Sequence, residues 1–291
     1  MVESASGYAG ADFLVALDRP APPRPARALA AMVERRVSGE PLQYVVASWG
    51  FRTLDLFVDS RVLIPRPETE MVVEVALAEL ARLSDLAATS PTLPRECRPW
   101  PGHRPQWASG EPAAEPVLVA DLGTGSGAIA LALAAEVARA TSLEVWATDA
   151  SSGALAVARA NLAGLGGWPA TRVRLSQGSW FVALPDRLRG RLALVVSNPP
   201  YVSQAELATL PHEVAGWEPT DALVAGPSGL EAVAQVVSGA PGWLGRPGTL
   251  VVELAPHQVD AVALLASRAG FTEVAVHPDL AGRPRALVGR I

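Results

Sequence analysis

The chain has 291 residues, 49% of them hydrophobic, which is enough material for one large or two modest globular domains. Its 24 basic and 29 acidic residues leave a net charge of −5, a balance that argues against a protein gripping nucleic acid through its phosphates, and every basic residue is Arg. The apolar runs are short, residues 1–20 lack the basic start and apolar core of a signal peptide, and one cysteine (Cys97) with four scattered histidines excludes an intrachain disulfide and offers no zinc-ligand spacing; a cytoplasmic protein without a metal is expected.

Residues 1–25 are rich in Ala, Gly and Pro, and the run Pro20-Ala21-Pro22-Pro23-Arg24-Pro25, short of amide donors, reads as an extended lead-in. From Ala26 to Ser38, Leu29, Met32, Val33 and Val37 recur at helical spacing and Gly39 closes the segment, which predicts one amphipathic helix. Over 44–64 the pattern turns to alternation (Leu54, Leu56, Val58) with Asp59-Ser60 as a turn, predicting a β-hairpin that Pro65-Arg66-Pro67 stops. Pro67 with Glu68 and Glu70 in the first turn opens a helix running to about Leu83. Residues 84–116 carry Pro, Ser, Gly and Arg without a period and read as a loop insertion, with no role expected for Cys97.

From Val117 short β-branched runs alternate with helical stretches, the pattern of βαβ units around a parallel sheet. Strands are expected over 117–121, 143–148, 172–175, 192–197, 249–254, 272–276 and 286–289, with helices starting near Ser126, Ser151, Gly229 and Pro256. Only residues 277–285 separate the last two strands, too few for a helical crossover, so the sheet should end in an antiparallel pair. That ending suits a methyltransferase better than a dehydrogenase.

The first of these strands runs into Gly123-Thr124-Gly125-Ser126-Gly127 and then a helix, the context a nucleotide-type glycine loop requires. Glycines let the backbone approach a ligand, and the helix start offers free amide donors. Asp149 closes the next strand 22 residues after Gly127, where a carboxylate can accept both hydroxyls of a ribose. The loop alone does not separate NAD from S-adenosylmethionine, because Gly123, Gly125 and Ala128 also satisfy the dinucleotide fingerprint. Asp121, placed to meet a cationic amino-acid group, and the downstream Asn198-Pro199-Pro200-Tyr201 favour S-adenosylmethionine.

That tetrapeptide sits at the carboxyl end of the apolar strand 192–197, where open α/β sheets bind their ligands. An amide or aromatic amine is a poor nucleophile because its lone pair is delocalised. The Asn198 oxygen and the Pro199 carbonyl can each accept one N–H of a substrate NH2, turning the lone pair toward a methyl donor. Pro200 stiffens the carbonyl's position, and Tyr201 can stack on the planar group. The plainer reading, in which Pro-Pro ends a strand and Asn caps a turn, needs no ligand. Taken alone, the segment indicates methylation of a planar nitrogen, whether on a nucleobase or an amide.

Gly39-Glu40-Pro41-Leu42-Gln43-Tyr44, the run from Leu63-Ile64-Pro65-Arg66 through Pro67-Glu68-Thr69-Glu70, the loop from Asp121 to Gly127, Asn198 to Tyr201, and Trp217-Glu218-Pro219 together resemble the release factor glutamine methyltransferases (the PrmC or HemK family). The resemblance extends from about Gly39 to the end. It implies a Rossmann-like class I S-adenosylmethionine-dependent methyltransferase with a helical N-terminal domain, a hairpin linker and a seven-stranded catalytic domain. It implies methyl transfer to the glutamine of the Gly-Gly-Gln loop of peptide-chain release factors.

By matching positions, Asp121, Gly123, Thr124, Gly125, Ser126, Gly127, Asp149, Trp180 and Asn198 would hold the cofactor, with Trp180 against its adenine or, alternatively, in the core. Asn198, Pro199, Pro200 and Tyr201 would hold the glutamine. Arg66, Glu68 and Glu70 would lie near the site mouth or merely cap their helix, and Glu218 would line the entrance or brace a loop. The expected organisation is a shortened helical region over 1–43, a hairpin linker over 44–66 and a catalytic domain over 67–291. The chain is expected to act as a monomer on release factors, without a stable nucleic-acid or membrane partner. The rival substrates are a nucleobase amine of DNA or RNA and a ribosomal-protein glutamine; a non-enzymatic binding factor is the remaining alternative.

Overall fold

A computed structural model describes residues 1–89 and 115–291. Most of the insertion read over 84–116, Cys97 included, lies outside the described residues.

Three helices precede Gly39 where the sequence suggested one: α1 (Val2–Ser6), α2 (Gly10–Ala16) and α3 (Pro23–Val37). The proline run misleads because Pro23 and Pro25 occupy the first turn of α3, where amide protons have no intrahelical partner to lose. α1 packs back on α3, so the lead-in is a folded helical unit and not an extended arm. Next comes α4 (Leu42–Val46), at the start of the stretch expected to be strand. The hairpin is β1 (Trp49–Phe51) and β2 (Leu54–Leu56), closed at Arg52-Thr53. Asp59-Ser60 does turn, with Asp59 accepting from the Arg61 and Val62 amides, but it follows the hairpin and does not close it. Arg52 takes the left-handed conformation (φ 51°) because distant partners hold it. Its amide donates to Glu70, and its guanidinium donates to Glu136 at 2.6 Å and Glu74 at 2.9 Å.

α5 (Pro67–Thr89) runs past the expected stop at Leu83 and buries Val72, Val73, Ala76, Leu80 and Leu83 against the main sheet. The repeating part follows as β3 (Val117–Leu122), α6 (Ala128–Glu136), β4 (Leu143–Asp149), α7 (Ser152–Leu165), α8 (Gly167–Ala170), β5 (Val173–Gln177) and β6 (Leu192–Ser197). A small excursion comes next: β7 (Val202–Ser203), α9 (Gln204–Leu207), α10 (His212–Ala215), α11 (Thr220–Leu223) and β8 (Val224–Gly226), with β7 and β8 paired parallel. The chain closes with α12 (Glu231–Gly239), β9 (Leu244–Glu253), α13 (Val259–Ala269), β10 (Glu273–Pro278) and β11 (Pro284–Arg290). β9 begins five residues before its expected start because its opening Gly245-Arg246-Pro247-Gly248 reads as a turn. The pairing of β9 with β6 shifts register there.

The seven-stranded sheet runs β10-β11-β9-β6-β3-β4-β5, parallel except for β11, which is antiparallel to both its neighbours. β3 and β6 are buried at every residue, as central strands covered on both faces must be. This is the α/β, Rossmann-like sheet of class I methyltransferases, with its last pair antiparallel and a short helical segment in front. β4 and β5 lie on one side of β3, β6 and β9 on the other, so the order reverses between β3 and β6. The crevice at their carboxyl ends is where such sheets bind ligands. Among the described residues no helix is long and apolar enough to cross a membrane.

Candidate active site

The loop between β3 and α6 is shaped by three glycines in the left-handed region, Gly123 (φ 73°), Gly125 (φ 57°) and Gly127 (φ 87°). A Cβ at Gly127 would come within 3.1 Å of the Leu131 side chain, so torsion calls for glycine there and the tight fit adds to it. Asp121 stands beneath the loop and not in its mouth. Its Oδ2 accepts from the Thr124 hydroxyl at 2.6 Å and from the Ala130 amide at 3.1 Å, tying the loop to the first turn of α6. Full burial pushes the Asp121 carboxyl up to about 7, against the lowering effect of those two bonds. Asp121 was expected to meet a cationic group of the ligand; it does not line the cavity.

That cavity, about 570 Å³, opens over the carboxyl ends of β3, β4 and β6. Gly123, Thr124, Gly125 and Ser126 form its floor, and Asp149, Trp180, Asn198 and Pro200 stand on its walls. Gly127, at the start of α6, is not among the lining residues. Asp149 accepts from the Gly125 amide at 2.9 Å and the Ser151 amide at 2.8 Å, so the end of β4 fixes the glycine loop. Burial raises the Asp149 carboxyl, with the Ser151, Gly125 and Ala150 amides opposing. Trp180 lies against Gly123, where a Cβ would sit 3.5 Å from the ring. Its own backbone is left-handed (φ 46°), a strain of about 1–2 kcal/mol for a non-glycine residue that holds the indole over the cavity. The ring also packs partly on the core, so Trp180 both lines the cavity and belongs to the packing beneath it.

Asn198 leaves the end of β6 with its Nδ2 donating to Thr69 Oγ1 at 3.1 Å; no bond is made to its Oδ1 among the described residues. Ser197 pins the same strand end to β3 through the Leu122 carbonyl at 2.7 Å. Pro199 is buried and is not itself among the lining residues, but Asn198 and Pro200 on either side of it are. Tyr201 is half-buried to one side, its carbonyl held by Gln258 at 3.0 Å. Burial, with Glu253 adding to it, pushes the Tyr201 hydroxyl up to about 12, so the ring stays neutral.

The acidic and basic residues of the 66–70 segment do not pair with one another. Glu70 receives the Arg52 amide, Glu68 meets Arg283, and Arg66 donates to Glu218 at 2.6 Å. Glu218 is thus the brace that ties this segment to the loop before α11, and Pro65 and Pro219 on either side of the pair both face the cavity. Sequence reading passed over Thr69, Gln177, Gly178 and Asp221, all of which line the cavity. Thr69 sat inside a noted motif but was hidden by its charged neighbours.

Glu218 is buried, and burial raises its carboxyl against the pull of Arg66. Arg66→Ala is therefore expected to destabilise the fold by about 3 kcal/mol, since breaking a buried pair strands one charge. The loss should deepen as pH rises, because only the ionised Glu218 needs its partner. Urea unfolding checks this, with Glu218→Gln in the same chain restoring part of the loss. An unchanged midpoint in Arg66→Ala would show that the pair braces nothing.

A model of the methyltransferase small domain matches residues 112–214, and one of the PrmC N-terminal domain matches residues 1–46, the stretch holding α1 to α4. The release factor glutamine methyltransferase of Xylella fastidiosa (strain Temecula1) is 39% identical over 263 residues, covering 89% of this chain and 80% of that protein. The chain belongs to the release factor glutamine methyltransferase family. Further members are those of Cereibacter sphaeroides, 37% identical over 94% of this chain and 83% of theirs, and Geobacter sulfurreducens, 34% identical over 100% and 87%. Membership makes the chain a methyltransferase that uses S-adenosylmethionine. Among solved structures, the hMettl16 catalytic domain bound to MAT2A 3'UTR hairpin 1 matches with TM-score 0.55 at 13% identity, covering 81% of this chain and 74% of that one, a likeness of fold alone.

The cavity fits that cofactor. A glycine floor that side chains would fill, a carboxylate two residues before a helix N-cap at Ser151, and an indole over Gly123 suit an adenine nucleoside with a compact charged tail.

Proposed function

We propose that the chain methylates the side-chain amide nitrogen of the glutamine in the Gly-Gly-Gln loop of bacterial peptide-chain release factors. Asn198 carries this reading: its amide stands on the wall of the cofactor cavity, bonded through nitrogen to Thr69, with its oxygen left for a substrate N–H. S-adenosylmethionine, when bound, supplies an electrophilic methyl on a sulfonium. Gly123 to Gly127 with Asp121 beneath them would shape the bed for it, Asp149 would accept from its ribose, and Trp180 would cover its adenine.

Asn198 Oδ1 and the Pro199 carbonyl each take one N–H of the glutamine amide, and Pro200 keeps the second acceptor rigid. Tyr201, next to the lining Pro200 but not itself lining the cavity, would offer its ring to one side of the amide plane. The nitrogen lone pair is thereby aimed at the methyl, and orientation of this kind contributes up to about 7–11 kcal/mol. No strong base is needed, because the amide proton becomes acidic only as the new bond forms and leaves afterwards.

Incubation with S-adenosylmethionine and purified release factor, followed by mass spectrometry of the Gly-Gly-Gln peptide, tests the proposal. One added methyl on that glutamine is expected. An unmodified glutamine, with methyl appearing on DNA, RNA or a ribosomal protein instead, would overturn it.

A further inference from the structure

The side chain that anchors Asn198 is itself anchored. Thr69 is buried, and its hydroxyl bonds Glu253 Oε2 at 2.8 Å while Asn198 Nδ2 lies at 3.1 Å from the same oxygen. Glu253 is the last residue of β9, one step past the point where Val252 pairs with Ser197, so neighbouring strand ends bring it beside Asn198. It is 1% exposed, does not line the cavity, and its other oxygen has no partner among the described residues. Thr69 is its route to the site.

We propose that Glu253 is a positioning residue that acts through Thr69 to keep the Asn198 amide oxygen turned toward the substrate. A carboxylate only accepts, so the single hydroxyl proton of Thr69 must go to Glu253. The oxygen of Thr69 then offers Asn198 a lone pair, and Asn198 must answer with N–H. Its Oδ1 is left facing the cavity. If Glu253 carries a proton, it donates to Thr69, the Thr69 proton swings to Asn198, and the amide is held by its oxygen, with NH2 facing the substrate NH2. Two donors then oppose each other, and the glutamine loses one of its two acceptors. The proposal rests on Asn198 orienting the glutamine as described above.

The groups facing Glu253 are Arg66 and Glu68 from the segment entering α5, Arg285 on β11 and Tyr201 after β6. Burial pushes the Glu253 carboxyl up to about 7; Thr69, Arg285 and Arg66 pull it down and Glu68 pushes it up. The working state of the relay is therefore gained as pH rises through the neutral range.

Two measurements test this on the full chain. Side-chain amide NMR of Asn198 in the absence of substrate should titrate with a midpoint near pH 7, and the titration should vanish in Glu253→Gln and Thr69→Val. In steady-state kinetics, kcat should rise with pH through the same midpoint. Glu253→Gln, whose NH2 can donate to Thr69, should lower kcat on the order of 100-fold and erase that pH limb. The KM for S-adenosylmethionine should stay within about twofold. Thr69→Val should lose the same, Thr69→Ser should recover turnover to within about threefold, and Thr69→Val with Glu253→Gln should be no worse than either alone.

A limb that survives Glu253→Gln belongs to another group, Asp121 included, and overturns the proposal, as does an Asn198 amide that does not titrate in the wild type. Wild-type protein that methylates no glutamine while its Asn198 amide titrates would instead refute the substrate assignment and leave the relay standing.

Discussion

Asn198→Ala is expected to lower kcat on the order of 1,000-fold, about 4 kcal/mol, while S-adenosylmethionine binds within about threefold of its wild-type affinity. The division follows from where the side chain stands. The backbone at 198 is held by β6 and by Ser197 on the Leu122 carbonyl, so truncating the side chain does not release the strand end. The glycine loop is held separately, by Asp121 and Asp149. Cofactor binding therefore has its own supports, and what disappears is one of the two acceptors that aim the amide. Thr69 still donates to Glu253, so its buried hydroxyl is not left without a partner. Calorimetry with S-adenosylmethionine and single-turnover methylation of release factor separate the two effects. Equal loss of binding and turnover would refute the division of labour.

How far the site could be read in advance depended on whether its chemistry was local. The run from β3 through the glycine loop into α6 is written in consecutive residues, because left-handed torsions demand glycine and a helix start demands free amides. Asp149 and Asn198 were found for the same reason, each closing an apolar strand at a crevice that the order of the strands dictates. Arg52 shows the opposite case. No local signal marks Arg52-Thr53 as a turn; acidic residues on α5 and at the end of α6 hold that backbone, and they approach only after the sheet has formed. Thr69 and Glu253 are 184 residues apart in the chain and became partners only because α5 packs against β9. Asp121 was found, but its position before the loop does not reveal that its carboxylate turns back to Thr124 and Ala130. The N-terminal helices were hidden by composition: prolines that break a helix interior are harmless in its first turn.

Asp149→Ala should produce the mirror image of Asn198→Ala, a loss that falls on cofactor binding. Carboxylate hydrogen bonds contribute about 1.5–3 kcal/mol each, and in the proposed reading two ribose hydroxyls would share this one acceptor group. The same two oxygens receive the Gly125 and Ser151 amides, so the variant also slackens the floor on which the cofactor lies. A Kd for S-adenosylmethionine weakened on the order of 100-fold, about 2.7 kcal/mol, is the expected result. Saturating cofactor should return most of the turnover, because the substrate-orienting residues are untouched. Asp149→Asn keeps one acceptor and should fall between the two.

A pH dependence accompanies this. Burial raises the Asp149 carboxyl from its ordinary value, and its ionised form is the one that would accept from both hydroxyls. Wild-type affinity should therefore climb as pH rises out of the acid range, and Asp149→Ala should remove that climb. Calorimetric titrations across pH measure both. An Asp149→Ala protein that binds S-adenosylmethionine within twofold of wild type would mean that the end of β4 shapes the loop without touching the cofactor.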